Sequence, residues 1–157
     1  MTTRRIPVSP PSVQPNPQAR QVIVVDSCVL VDVSSGDPRW QDWSAAKLDM
    51  WSRRGPLVIN GIIYAELAYG FPQIETLETF CQRAGLDLRS LTRSAFFLSG
   101  RARALYRQRA GTRAGLLPDF LIGAHAADLG CPLLTRDVAR FASYFPQLEL
   151  VAPDGRL

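Results

Sequence analysis

The sequence predicts an α/β fold, a three-layer α/β/α sandwich around a central, mainly parallel sheet. Three observations carry this. Short apolar runs recur along the chain, Val22–Val25, Leu57–Ile59 and Leu133–Leu134 among them, each suited to a buried strand. The segments between them carry apolar residues at helical spacing and stop at glycine or proline. Strands that alternate with helices pair in parallel, and a parallel sheet is covered on both faces. The 157 residues amount to one domain, and 46% hydrophobic content suffices for a core.

Residues 1–20 hold five prolines (Pro7, Pro10, Pro11, Pro15, Pro17) and little that packs. A flexible N-terminal tail is expected there, with the folded domain spanning 21–157. Val22–Val25 reads as a central strand, and a helix follows from about Val29 until Asp37-Pro38 breaks it. Arg39–Arg53 is an amphipathic helix to which Trp40, Trp43 and Trp51 give apolar area, and Gly55-Pro56 stops it. Leu57–Ile59 is the second strand. Helices over Ile62–Gly70 and Gln73–Ala84 come next, the latter closed by Gly85, and Leu86–Leu88 is a short strand. In the following helix Ala95, Leu98, Ala102 and Leu105 share the side that packs. Pro118 introduces Asp119–Leu129, which is apolar nearly all round and therefore a buried helix, with Gly130 as its stop. Pro132–Thr135 is a strand, Val138–Tyr144 a short helix and Leu148–Val151 the last strand.

Composition removes several functions. Cys28, Cys81 and Cys131 are an odd, widely spaced set without a CxxC pair. They fit neither a disulfide scaffold nor a zinc ribbon, and a reducing, cytoplasmic setting is expected. His125 is the only histidine, so no mechanism that needs a histidine couple can operate, and a histidine-rich zinc site is disfavoured. No apolar run approaches the ~18–20 residues of a membrane helix, and Arg4 and Arg5 are not followed by the apolar stretch of a secretory signal. GxGxxG and P-loop patterns are absent. Seventeen of the 18 basic residues are arginines, Lys47 being the exception. Eight of them fall between Arg83 and Arg113, against one acid, Asp87. Such a field fits a polyanionic partner or a solvated helical face.

A ligand site in an open parallel sheet lies beyond the carboxyl ends of the strands. Four carboxylates fall there. Asp26 ends the most apolar strand; a helix cap would explain it equally. Glu66 lies three or four residues from Ile62, Ile63, Tyr69 and Gly70, so it shares their face, where an unpaired acid costs desolvation. A rotated helix would leave it solvated. Asp119 opens the buried helix, where an acid also favours the helix N-terminus. Asp137 follows Thr135 at a strand end and can cap the next helix. Taken together, four acids at one sheet edge cannot stay ionised without a cation. Oxygen-only ligands select a hard ion, Mg²⁺ or Mn²⁺, and such ions serve phosphoryl chemistry. Arg101, Arg103, Arg107, Arg109 and Arg113 would then attract a polyphosphate backbone.

Four stretches, in this order, carry a resemblance: Val24–Asp32 (VVDSCVLVD), Ile63–Leu67 (IYAEL), Pro118–Ala126 (PDFLIGAHA) and Leu133–Asp137 (LLTRD). At these residues the sequence resembles the PIN-domain ribonucleases, in particular the VapC toxins of bacterial toxin–antitoxin pairs. The resemblance covers about residues 21–152. It implies a PIN-like nuclease domain in which Asp26, Glu66, Asp119 and Asp137 are the catalytic, metal-binding quartet. Thr135 matches the hydroxyl residue before the last acid, and Ser27 the hydroxyl after the first. Cys28 departs from the small hydroxyl or amide often found at its position. The resemblance further implies an Mg²⁺- or Mn²⁺-dependent endoribonuclease that leaves a 5′-phosphate, a homodimer, and a VapB-type antitoxin whose C-terminal segment blocks the acidic cleft. The RNA (tRNA, rRNA or mRNA) is left open. The alternative is a catalytically silent PIN-like module that grips RNA or a partner protein; the intact quartet argues against it.

Other residues read as structural. Asp32 is expected to be solvated or capping rather than facing the cleft, and Asp42 and Asp49 to lie on a wet helix face. His125 is expected as a satisfied core histidine, Cys131 as buried packing, and Tyr106 as helix packing rather than a base-stacking platform.

Overall fold

The computed structural model describes residues 21–109 and 117–154. The described chain runs β1 (Ile23–Val25), α1 (Ser27–Ser35), α2 (Gln41–Ser52), β2 (Leu57–Ile59), α3 (Gly61–Ala68), α4 (Ile74–Arg83) and β3 (Leu86–Leu88). It continues through α5 (Arg93–Gln108), α6 (Leu117–Leu129), β4 (Leu133–Leu134), α7 (Val138–Tyr144) and β5 (Leu150–Val151). The strands form one sheet in the order β3-β2-β1-β4-β5, and every neighbouring pair is parallel. The helices cover it as an α/β/α sandwich.

Burial explains the arrangement. Successive side chains of a strand point to opposite faces. Ile23, Val24 and Val25 are nevertheless all 0% exposed, so both faces of β1 are covered by helices. Each such side chain contributes about 1.5–3 kcal/mol on burial. The chain winds from β1 outward through β2 to β3, then returns to the other side of β1 for β4 and β5. The order therefore reverses between β1 and β4, which opens a crevice at their carboxyl ends. Register fixes what lines it. Val24 faces Leu133 and Val25 faces Leu134, so Asp26 and Thr135 emerge side by side.

The helices follow the predicted breaks, with corrections. Gly85 and Gly130 do end helical segments, each with φ in the left-handed region (65° and 61°). α1 begins at Ser27, two residues before the expected Val29, because Asp26 itself stands at the N-cap position and the strand passes directly into the helix. On α5 the buried side is Ala95, Ser99 and Ala102, while Leu105 is 47% exposed. Small residues there let α5 lie along α6, its main neighbour. On α3 the buried side is Ile63 and Leu67; Tyr69 is exposed, so the apolar face assigned to Glu66 is narrower than its sequence neighbours suggested. α6 is buried from Asp119 through Ala126, as its all-round apolar sequence requires.

Candidate active site

Asp26 sits at the N-cap position of α1, yet its side chain makes no capping bond. The capping account of this residue therefore fails. Its carboxylate is instead gripped from β4: Thr135 Oγ1 donates to Asp26 Oδ2 at 2.7 Å. The Cys28 thiol donates to the same oxygen at 3.2 Å, and Ser27 Oγ reaches Asp26 Oδ1 at 3.5 Å. Thr135 is fully buried and also accepts from the Asp137 N–H at 3.0 Å. One hydroxyl thus ties the Asp26 carboxylate to the Asp137 backbone. Burial, reinforced by the Asp26 charge, pushes the Cys28 thiol up to about 12, so it acts as a neutral donor.

The other two acids close in from the helices. Glu66 on α3 is half-buried, and desolvation raises its carboxyl above the usual range. A hydrogen bond from Ser27 opposes the rise, while the Asp26 and Asp119 charges add to it. Asp119, in the first turn of α6, is 8% exposed and is also raised, first by burial. Arg140 pulls it back down, and the Asp26 and Asp137 charges push it up again. Asp119 thus feels the charges of both Asp26 and Asp137, and Glu66 those of Asp26 and Asp119. Asp137 does cap α7: its Oδ1 accepts from the Arg140 N–H at 3.1 Å.

A family model for the PIN domain matches residues 23–144. The chain belongs to the PIN domain family. PIN domains are in general nucleases, and they generally use divalent metal ions. No curated protein sequence matches the chain significantly. Among solved structures it is similar to VapBC2 from Rickettsia felis bound to a promoter DNA fragment (22% identity, TM-score 0.68, 85% of this chain and 100% of that one). It is also similar to VapBC-1 from nontypeable Haemophilus influenzae (19% identity, TM-score 0.68, 84% and 98%). A third is DNA-bound VapBC from Salmonella typhimurium (20% identity, TM-score 0.64, 84% and 98%). At these identities the similarity establishes the shared fold.

The donor chemistry of this PIN domain fits a hard cation, since the acids offer only oxygens and two of them, Glu66 and Asp119, are raised first by burial and then by neighbouring acids. Their geometry is less ready. Among the described residues no group of three His, Cys, Asp or Glu side chains is arranged to hold a metal ion. Two of the acids are held by Arg140 instead: Nη1 bonds Asp119 Oδ2 and Nε pairs with Asp137 Oδ2, each at 3.0 Å.

Sequence reasoning missed Arg140, although its position three residues after Asp137 was a visible pairing signal. It also misjudged Asp32. That residue is 2% exposed, neither solvated nor capping. Arg136 grips it with two bonds at 2.7 and 2.8 Å, Ser44 Oγ donates to it at 2.6 Å, and the Arg136 guanidinium lies 5.1 Å from the centre of the Trp40 ring. The clamp ties α1 and α2 to the segment that carries Thr135 and Asp137. His125 is a core residue, 1% exposed, its Nδ1 paired with Asn60 Nδ2 at 3.1 Å. Asn60 Oδ1 meanwhile caps α3 by accepting from the Ile62 and Ile63 N–H groups. Tyr106 packs with Phe120 and Tyr144. Cys131 is only partly buried.

Arg103, Arg107 and Arg109 are exposed along α5, and Tyr106 ties that end of the helix to Phe120, next to Asp119. Arg101 instead lines an apolar groove with Leu98, Gly130 and Glu149, toward the other end of α6. Arg113 lies outside the described residues.

Proposed function

We propose that this PIN domain is an Mg²⁺- or Mn²⁺-dependent endoribonuclease toxin that hydrolyses RNA phosphodiester bonds. The observation that supports the reading most is the pairing of Asp26 and Thr135 at the switch point of the sheet, where the Thr135 hydroxyl donates to the Asp26 carboxylate and accepts from the Asp137 backbone N–H. Asp26, Glu66, Asp119 and Asp137 would hold the ion. A divalent ion bound there would activate water and neutralise phosphate charge. The protein's own groups prepare for that. Thr135 and Cys28 fix Asp26 Oδ2, so Oδ1 is left turned toward Ser27, which lies beside it. Arg103, Arg107 and Arg109 would steer the RNA backbone to the crevice, with Arg113 expected to join them and Arg101 contributing from farther away.

The similarity to VapBC structures supports a VapB-type antitoxin as partner. A homodimer is expected on the same ground. All three cysteines are free, which favours a reducing, cytoplasmic setting. Among the described residues no helix is long and apolar enough to cross a membrane.

The ion pairs of Arg140 with Asp119 and Asp137 favour one second reading, a PIN-like module that binds RNA or protein without cutting. Mn²⁺ titration separates the two. The nuclease requires a site that Asp26→Ala abolishes. A folded protein that binds RNA and takes up no Mn²⁺ would be the silent module.

A further inference from the structure

We propose that Arg140 is a built-in gate on the acidic crevice: its guanidinium stands where a divalent cation must act, and it has to leave Asp119 and Asp137 before the ion can be held. The inference rests on the metal-site reading above and concerns how that site is kept closed.

Arg140 engages the acids more fully than a surface partner would. Both oxygens of Asp137 are used by this one residue, Oδ1 by its backbone N–H at 3.1 Å and Oδ2 by Nε at 3.0 Å. Nη1 takes Asp119 Oδ2 at 3.0 Å. The fork therefore spans acids from two different elements, α6 and the start of α7. Asp26 Oδ2 is meanwhile occupied by Thr135 and Cys28. With the side chains so held, no group of three His, Cys, Asp or Glu is arranged to hold an ion among the described residues. The acids are gathered, but the positive charge between them is the protein's own.

A guanidinium is permanently charged, so loss of the arginine's proton cannot open this gate. Displacement can. The Arg140 side chain is 43% exposed, so it can swing into solvent without unpacking the core. A divalent ion offers the acids twice the charge, whereas an ion and a guanidinium on the same oxygens repel. Metal affinity is thereby set by competition within the chain.

The test is calorimetric titration of MnCl₂ into the full chain and into Arg140→Gln and Arg140→Lys, with melting curves on each. Two partly exposed ion pairs correspond to roughly three- to thirtyfold in affinity. Arg140→Gln is expected to bind Mn²⁺ tighter within that range. Its metal-free melting temperature should fall, because the acids lose their counter-charge, and Mn²⁺ should raise it further than in the unmodified protein. Arg140→Lys keeps the charge and loses the fork, so its affinity should fall between the two. Equal or weaker Mn²⁺ binding by folded Arg140→Gln would overturn the gate. So would an Arg140→Lys protein indistinguishable from the unmodified one, since that would make the arginine a background charge. No Mn²⁺ binding by any of the three would overturn the metal site itself and the gate with it.

Discussion

Replacing Thr135 by valine keeps the shape of the residue and removes its hydroxyl. That hydroxyl is 0% exposed, donates to Asp26 Oδ2 at 2.7 Å and accepts from the Asp137 N–H at 3.0 Å. A hydrogen bond to an ionised group contributes about 1.5–3 kcal/mol, and an orphaned N–H adds about 1 kcal/mol. Valine regains a little as an apolar residue, so the expected net loss is about 2–3 kcal/mol. Thr135→Ser keeps both bonds and loses a buried methyl, which costs about 1 kcal/mol. Urea unfolding of the two variants measures the difference. In an Asp26→Ala background the valine should cost less, because its main acceptor is gone; a coupling of about 1.5 kcal/mol is expected from the cycle. A Thr135→Val protein no less stable than Thr135→Ser, or costs that simply add with Asp26→Ala, would refute the claim that this hydroxyl holds the crevice together.

The remaining predictions use other parts of the fold. Asp32→Asn leaves Arg136 without its buried counter-charge and should lower stability by about 3 kcal/mol in the same unfolding assay. Gly123→Ala drives a Cβ into the Phe145 ring and should cost about 2 kcal/mol by overpacking. Burial holds the His125 imidazole below its ordinary pKa, so the unfolded chain binds the extra proton first. Stability from this residue is complete above about pH 6.5 and is lost as pH falls below it; His125→Gln should remove that rise from a series of unfolding curves. Replacing Arg103 and Arg107 together should flatten the salt dependence of RNA binding by about 1.4 in log–log slope, measured by titration at several salt concentrations.

The sheet was legible because β1, β2 and β4 are buried on both faces and read as unbroken apolar runs. The buried helix α6 was legible for the same reason. Asp26, Asp119 and Asp137 stand out in the sequence by their place at a strand end or helix start, whereas Glu66, inside α3, is marked only by its apolar neighbours. The partners could not be read there. Asp32 and Arg136 are 104 positions apart, and only the folded chain brings them together. Arg140 could be paired with Asp137 by spacing, but its bond to Asp119 depends on how α6 meets α7. Leu105 misled because α5 turns its small residues toward α6, which a count of apolar spacing does not weigh.

The central claim is that this crevice cuts RNA with a divalent ion. The direct measurement is cleavage of a mixed tRNA and rRNA pool by the purified chain in Mg²⁺, Mn²⁺ or EDTA, beside the Asp119→Ala protein. Discrete fragments bearing 5′-phosphates, formed only with metal and only with Asp119 present, are the expected result. Cutting that persists in EDTA and in Asp119→Ala, or no cutting by a folded, antitoxin-free protein that binds RNA, would contradict it.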